Sequence, residues 1–222
     1  MAIKLIFFDL EGTLIYNNNA TRIIDGSLWA VIPHVLGGNA LKVDEELYAK
    51  WHNGGYANYV EWCDESMKNF RAHRLTRDLF ERLAKEGTLR DGVVETIRKL
   101  HEKGIVTAII SGGFHEQAVQ VQLATGVKHV LAAVQVYWDE TGMIAGWNSL
   151  PGDNVGKTNF VELMRHEYKL KREECAFIGN GKNDIDIAKH VGISFAVADA
   201  HEQLKAITTH TLENFGDILK YI

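Results

Sequence analysis

The chain opens on the stretch Lys4-Leu5-Ile6-Phe7-Phe8-Asp9-Leu10-Glu11-Gly12-Thr13-Leu14-Ile15. Residues 3–8 form an almost unbroken apolar run, which has the length of a strand and is far too short to span a membrane. Because a parallel strand that is covered on both faces is apolar at successive positions, this run predicts the central strand of a parallel sheet. Asp9 and Glu11 follow it, and Gly12-Thr13 is typical of a turn. Both carboxylates are therefore expected at the carboxyl end of the strand, where open α/β sheets bind ligands.

The composition is that of a globular protein with one large domain, or one domain that carries an insertion. The 222 residues are 46% hydrophobic, and the net charge of -5 gives no electrostatic reason to expect nucleic acid or an anionic membrane as partner. Cys63 and Cys175 are far apart and belong to no C-x-x-C pattern, so we expect both to be reduced. No secretory leader or membrane-spanning run is recognisable. These features predict a cytoplasmic protein and give no indication of its oligomeric state.

Residues 16–88 are predicted to form a helical insertion, with no strand between residues 21 and 89. Typical helix starts stand at Asp25 or Ser27, at Asp44 and at Thr76, and a further helix is expected from about residue 58. Its aromatic residues are Trp29, Trp51, Tyr56, Tyr59 and Trp62 among others. They are interpreted either as the core of this helical segment or as rings that stack on a ligand.

From residue 89 onward, strands and helices alternate, which predicts a doubly wound parallel α/β sheet. Asp91 is a typical N-cap for the first helix of this part. The following strand is expected over residues 105–110 and to stop at Ser111, and further strands are expected at residues 130–136, 175–178 and 193–198. Residues 139–142 are typical of a hairpin turn. The α/β domain is thus predicted to comprise residues 1–15 and 89–222.

Three of the predicted strands end in polar, loop-forming residues. The groups are Asp9 with Glu11, then Ser111-Gly112-Gly113, then Asn180, Asn183 and Asp184, and Lys157 begins a helix after Gly156. Carboxylates, a hydroxyl beside backbone amides, and a cation are what phosphoryl transfer requires, because its catalysis consists mostly of positioning and charge neutralisation. The pattern therefore predicts a phosphoryl-transfer site at the carboxyl edge of the sheet.

Other motif interpretations fit less well. Gly152 and Gly156-Lys157 resemble a P-loop, but three residues separate the glycines where four are needed. The run Gly179-Asn180-Gly181 resembles a dinucleotide fingerprint, but Asp184 occupies the third glycine position. The ten histidines are scattered without a zinc-binding pattern.

The motifs D-L-E-G-T, S-G-G-F, G-K-T and G-N-G-K-N-D follow one another along the chain. This order resembles the haloacid dehalogenase-like (HAD) superfamily, and most closely its phosphoserine phosphatase-like branch with a helical cap. The resemblance implies a Rossmann-like α/β core with an inserted α-helical cap. It also implies a Mg²⁺-dependent phosphomonoester hydrolase that acts on a small phosphorylated metabolite.

The same resemblance implies a role for each motif residue. Asp9 would be the nucleophile that forms an aspartyl-phosphate, Glu11 the general acid and base, and Lys157 the cation that neutralises charge. Substrate would be bound by Ser111, Gly112 and Asn183. The implied ligands of Mg²⁺ are Asp9, the Glu11 backbone carbonyl, Asn180 and Asp184.

Two departures from the family pattern keep alternatives open. Glu11 stands where most of these phosphatases have Asp. A Glu at this position is similar to a family member that transfers a phosphoryl group to homoserine, so transfer to an alcohol is an alternative to hydrolysis. Asn180 stands where the motif usually has a metal-binding Asp, so a non-catalytic binding protein is a second alternative. In phosphoserine phosphatases, a cap glutamate shortly after the first motif and a cap arginine bind the amino-acid end of the substrate. Here the segment Tyr16-Asn17-Asn18-Asn19 contains no acid, and residues 58–64 offer acids and aromatics in place of the arginine. Phosphoserine is therefore not the expected substrate.

Overall fold

The computed structural model describes residues 2–16 and 26–222. The expected loop at residues 17–19 and the helix start at Asp25 lie outside these residues. Ser27, the other predicted start, is the N-cap residue of helix α1 (Leu28–Leu36).

Strands form one large sheet and one small ribbon. They are β1 (Leu5–Phe8), β2 (Ile15–Tyr16), β3 (Thr88–Leu89), β4 (Val106–Phe114), β5 (His129–Trp138), β6 (Ile144–Ser149), β7 (Cys175–Gly179), β8 (Ile193–Val197) and β9 (His210–Leu212). The large sheet has the order β6-β5-β4-β1-β7-β8-β9. Its neighbouring strands are parallel except β5 and β6, which form the predicted antiparallel hairpin.

Strand β1 lies between β4 and β7 at the centre of the sheet. All four of its residues are fully buried, which explains why successive positions are apolar. Phe8 is in register with Ile109 of β4 and with Ile178 of β7. The carboxyl ends of these three strands therefore lie side by side at one edge of the sheet, as predicted.

Helices occupy most of the remaining chain. Besides α1 they are α2 (Gly38–His52), α3 (Tyr59–Ala72), α4 (Arg77–Lys85), α5 (Val93–Glu102), α6 (His115–Thr125), α7 (Val155–Glu167), α8 (Ile185–Lys189) and α9 (Glu202–Lys205), with 3₁₀ helices at Arg172–Glu174, Lys182–Asp184 and Phe215–Lys220. A mostly parallel sheet with flanking helices is the predicted doubly wound α/β fold, which is confirmed. Among the helices described, none is long and apolar enough to cross a membrane.

Helices α1 to α4 follow β2 and precede β3, as the helical pattern predicts. The Asn58 side chain caps α3 by accepting a hydrogen bond from the Glu61 amide at 3.0 Å, and the Thr76 hydroxyl caps α4 in the same way. Their apolar residues pack with one another and with the ends of β4, β5 and β6; Trp29, for example, contacts Phe114 at a ring-centroid distance of 4.4 Å. The helical segment is thus packed against the carboxyl edge of the sheet.

The predicted start of α2 at Asp44 is wrong. The helix begins at Gly38, directly after Gly37, and Asp44 lies in its middle. The sequence Asn39-Ala40-Leu41-Lys42-Val43 is compatible with a helix, and Gly37, at a φ of 68°, turns the chain between α1 and α2 and occupies the N-cap position without a side-chain cap. Asp44 is therefore free of a capping role.

Three further boundaries differ from the predictions. Strand β4 does not stop at Ser111 but continues to Phe114, with an irregular register against β5 over these residues. Residues 88–89 pair with residues 15–16 as a two-residue antiparallel ribbon, which is too short to give a sequence pattern. Helix α5 has Gly92 in the left-handed conformation at its N-cap, rather than Asp91.

Candidate active site

The predicted site residues meet around one cavity of about 700 Å³ at the carboxyl edge of the sheet. Its lining includes Asp9, Glu11, Ser111, Gly112, Asn180 and Asn183. Lys157 and Asp184 are fully buried beside Asp9. The structure thus brings together all eight residues that the sequence singles out.

Lys157 holds two carboxylates together below the cavity. Its Nζ lies 2.7 Å from Asp9 Oδ1 and 2.7 Å from Asp184 Oδ1. Lys157 and Asp184 are fully buried, and Asp9 is 6% exposed, on the cavity side. A lysine at the start of a helix is usually solvated, so this burial marks Lys157 as part of a built ionic site.

Burial has a clear electrostatic consequence for Asp9. Burial and the neighbouring Asp184 raise the pKa of Asp9 to about 6, although Lys157 opposes the change. Burial lowers the pKa of Lys157, but the charges of Asp184 and Asp9 outweigh this and hold that pKa above its usual range. The two carboxylates and one ammonium carry one negative charge in excess, which a bound cation would balance.

Asp184 also shapes the loop after β7. Its Oδ2 accepts hydrogen bonds from the amides of Asn180 and Gly181, each at 2.9 Å. These two donors occupy the lone pairs of Oδ2, while Oδ1 accepts from Lys157 and keeps one lone pair. Asp184 therefore positions both the ammonium of Lys157 and the Asn180 backbone.

The Asn180 side chain faces the loop after β1. The Thr13 hydroxyl lies 3.2 Å from Asp9 Oδ2 and 3.1 Å from Asn180 Oδ1. Gly12 has a φ of 84°, and a Cβ at that position would lie 2.0 Å from Asn180 Nδ2. Glycine is required there because both the backbone conformation and the space exclude a side chain. This close approach brings the oxygens of Asp9 and Asn180 to one place.

These oxygens have the chemistry that Mg²⁺ prefers. Asp9 Oδ2, Asn180 Oδ1 and the Glu11 backbone carbonyl are hard oxygen donors. Among the described residues there is no cluster of three or more His, Cys, Asp or Glu arranged to hold a metal ion. Mg²⁺ usually keeps several waters and needs only one or two carboxylates. The donor set therefore fits Mg²⁺ rather than a metal that demands a complete protein cage.

The Glu11 side chain reaches the start of the helical segment. Its Oε1 accepts a hydrogen bond from the amide of Leu28, the first residue of α1, at 2.8 Å. A carboxylate at a helix N-terminus is stabilised by the helix dipole and by the otherwise unpaired amides. Glu11 Oε2 lies 3.2 Å from the point where a Cβ on Gly113 would stand. Glu11 is thus fixed between α1 and the end of β4.

Two aromatic residues that motif analysis did not assign to the site hold the Ser111-Gly112-Gly113 backbone. The Gly112 carbonyl accepts hydrogen bonds from the Tyr59 hydroxyl at 2.5 Å and from Trp29 Nε1 at 3.2 Å. The Ser111 hydroxyl accepts a hydrogen bond from the Gly113 amide at 2.9 Å. The sequence signal for these aromatics was their concentration in the helical segment, which left open whether they packed together or faced a ligand.

The fold and this geometry agree with comparisons to known proteins. The model of the haloacid dehalogenase-like hydrolase family matches residues 3–192. The chain belongs to this family, and the prediction of a HAD-like enzyme of the phosphatase class is confirmed at that level.

The individual relatives share only about a quarter of their residues with this chain. The chain is 26% identical over 230 residues to a phosphoserine phosphatase of Methanocaldococcus jannaschii, with 99% of this chain and 97% of that protein covered. It is 25% identical over 224 residues to phosphoglycolate phosphatase 1 of Saccharolobus solfataricus, with 96% and 90% covered. A solved phosphoserine phosphatase in a phospho-aspartyl intermediate analogue form has a TM-score of 0.74 at 23% identity, with both chains fully covered. These likenesses support the fold and leave the substrate open.

Proposed function

We propose that this protein is a Mg²⁺-dependent phosphomonoester hydrolase that acts on a small phosphorylated metabolite through an aspartyl-phosphate on Asp9. The observation that carries the proposal is the buried contact of Lys157 with Asp9 at the floor of the cavity. The similarity to phosphoserine phosphatases, one of them solved as a phospho-aspartyl intermediate analogue, supports the same class of reaction.

In the proposed first step, a carboxylate oxygen of Asp9 attacks phosphorus, and the bond between phosphorus and the ester oxygen breaks. Glu11 donates a proton to the departing alkoxide. In the second step, Glu11 takes a proton from a water that attacks the aspartyl-phosphate, so inorganic phosphate leaves and Asp9 is regenerated. The hydrogen bond from the Leu28 amide orients the Glu11 carboxylate for both transfers.

The other site residues bind the phosphoryl group or neutralise charge around Asp9. Lys157 lowers the charge around Asp9, and Asp184 holds Lys157 in place. Ser111, the amides that follow it and Asn183 bind the phosphoryl oxygens. The proposed Mg²⁺ ligands are Asp9, the Glu11 carbonyl, Asn180 and, through the remaining lone pair of Oδ1 or through water, Asp184. When bound, Mg²⁺ supplies positive charge against the phosphoryl oxygens.

We also propose that residues 16–88 form a cap domain on an α/β core of residues 1–15 and 89–222. Two separate apolar clusters support this division, one around the sheet and one centred on the helical segment. The hydrogen bonds of Trp29 and Tyr59 to the Gly112 carbonyl would couple the cap to the proposed phosphate-binding residues at the end of β4.

Hydrolysis of p-nitrophenyl phosphate in Mg²⁺ tests the proposal. The wild type should turn over, and a chelator should abolish turnover until Mg²⁺ is restored. Asp9→Asn should lose turnover while Asp78→Asn, a control at an exposed aspartate, keeps it. Mass spectrometry after acid quenching should find one phosphoryl group on wild type and none on Asp9→Asn. Full activity of Asp9→Asn would refute the assignment of the nucleophile.

The same assay separates the alternatives. Adding small alcohols should not divert the phosphoryl group if the enzyme is a hydrolase, whereas a new phosphate ester would identify a phosphotransferase. Binding of Mg²⁺ and a phosphate analogue without any turnover would instead support a non-catalytic protein.

A further inference from the structure

The wall of the cavity that faces Asp9 is built by helices α1, α2 and α3, and its chemistry differs from that of the sheet edge. Its main side chains are Trp29, Asp44, Glu45, Trp51, Tyr59 and Trp62. Among the described residues that line this wall there is no lysine or arginine. The wall therefore combines aromatic rings and carboxylates with two histidines, His34 and His52.

Asp44 is the electrostatic centre of this wall. It lies in the middle of α2 and lines the cavity, where burial and then the neighbouring Glu45 raise its pKa to about 7. Within the described residues, no ion pair or hydrogen bond is made by its carboxylate. Removing a carboxylate from water without a cationic partner is costly. Among the described residues, nothing compensates that cost on the cavity side, where a ligand could reach the carboxylate.

The aromatic rings line the same cavity as the acids. Tyr59 lies between Trp51 and Trp62, with ring-centroid distances of 5.7 Å and 5.4 Å, and Trp29 is 4.9 Å from Trp62. Aromatic faces attract ammonium and quaternary ammonium groups. Rings and carboxylates on one wall thus favour the same kind of ligand group, a positively charged nitrogen.

The proposed function fixes which part of the substrate meets this wall. The phosphoryl group must sit at Asp9, beside Lys157 and the amides that follow Ser111. The organic part of the ester then extends across the cavity toward α2. A carboxylate on that part would face Asp44 and Glu45, and like charges repel.

We propose that the substrate is the phosphate ester of an amino alcohol, whose positively charged nitrogen binds between Asp44 and the aromatic rings and which carries no carboxylate. This inference rests on the proposed function. It separates the chain from its relatives, since phosphoserine and phosphoglycolate both carry a carboxylate.

A matched substrate panel tests the inference. Phosphoethanolamine and phosphocholine supply the cation, propyl phosphate is the neutral control, and 2-phosphoglycolate and O-phosphoserine carry carboxylates. A charge-assisted contact corresponds to about 10- to 100-fold in kcat/KM. We expect the cationic esters to exceed propyl phosphate by at least tenfold, and the carboxylates to fall below it. Equal or better hydrolysis of 2-phosphoglycolate than of phosphoethanolamine would overturn the inference.

Variants on α2 locate the selectivity. Asp44→Asn should lower the ratio of kcat/KM for phosphoethanolamine over propyl phosphate about tenfold or more. The control Glu46→Gln, on the same helix but exposed and away from the cavity, should leave the ratio unchanged. Asp44→Lys should raise kcat/KM for 2-phosphoglycolate, a gain that misfolding cannot produce. An unchanged ratio in Asp44→Asn, or no gain in Asp44→Lys, would overturn the inference.

The same panel distinguishes a failure of the proposed function from a failure of the substrate inference alone. If wild type hydrolyses p-nitrophenyl phosphate and the neutral ester without any preference for cationic esters, only the substrate inference fails. If it hydrolyses none of these compounds in Mg²⁺, the proposed function and the inference fail together.

Discussion

Replacing Lys157 by Met should destabilise the fold in a manner that depends on pH. Lys157 Nζ lies 2.7 Å from both Asp9 and Asp184, and all three groups are out of contact with bulk water or nearly so. Met fills a similar volume but leaves two carboxylates side by side without a counter-charge. Breaking a buried ion pair by removing one partner costs about 3–5 kcal/mol. For a chain of this length, that corresponds to a fall in Tm of about 6–20 °C.

The sign of the pH dependence follows from Asp9. Its pKa is already raised to about 6, from an ordinary value of 3.8, when Lys157 is present, and loss of the ammonium raises the pKa of Asp9 further. The folded variant therefore binds a proton on Asp9 at pH values where wild type and the unfolded chain do not. The stability difference between wild type and Lys157→Met should be full at pH 8 and smaller by roughly half at pH 5, where Asp9 is protonated in the folded state.

Urea unfolding followed by the fluorescence of the five tryptophans measures this difference. Lys189→Met, at an exposed lysine, is the matched control and should change the free energy of unfolding by less than about 0.5 kcal/mol. Adding Asp184→Asn to Lys157→Met should recover part of the loss, because it removes one of the unpaired charges, with a coupling of about 0.5–3 kcal/mol. A loss that is identical at pH 5 and pH 8 and additive with Asp184→Asn would refute this electrostatic account.

Three further outcomes are expected. Glu11→Gln should lower kcat/KM for an alkyl phosphate about 10²–10⁴-fold, and less for p-nitrophenyl phosphate, since nitrophenolate departs without a proton; equal losses on both esters would show that Glu11 is not the acid. Asp44→Asn should raise the free energy of unfolding at pH 8 by about 1–2 kcal/mol after allowance for solvent screening, because the folded state disfavours the charged carboxylate. The gain should be smaller at pH 5 and vanish near pH 4. Thermal melts of wild type and variant at pH 8, 5 and 4 measure it, and a gain that grew toward pH 4 would contradict this account. Asn180→Asp should lower the Mg²⁺ concentration that gives half-maximal turnover, since a charged oxygen replaces a neutral one; an unchanged Mg²⁺ requirement would place the ion elsewhere.

The sequence allowed the sheet edge to be predicted because local patterns determine it. A strand buried on both faces must be apolar at successive positions, so β1 was visible as a run that ends at Asp9. Glycine and polar residues marked the carboxyl end of β4 and the loop after β7, and parallel topology alone brings these two places together. The positions of Asp9, Ser111 and Asn180 therefore needed no knowledge of tertiary contacts.

Contacts between the helical segment and the sheet had no such local signal. The hydrogen bond from the Leu28 amide to Glu11, and those from Trp29 and Tyr59 to the Gly112 carbonyl, depend on how the segment packs against the sheet. Asp44 was mistaken for a helix cap because aspartate is a good N-cap residue. The position of Gly37 and Gly38, where φ is positive, decided the helix start instead.

The two walls of the cavity make opposite electrostatic demands, and together they define an orientation. At the sheet edge, Lys157, the backbone amides and the proposed Mg²⁺ site favour the doubly charged phosphoryl group. At the helical wall, Asp44 and Glu45 repel that group and attract a cation. A substrate with a phosphate at one end and a positive nitrogen at the other can satisfy both walls in only one orientation, with phosphorus beside Asp9. The acid on α2 would then align the substrate for attack, because the cation would relieve the cost of burying its charge.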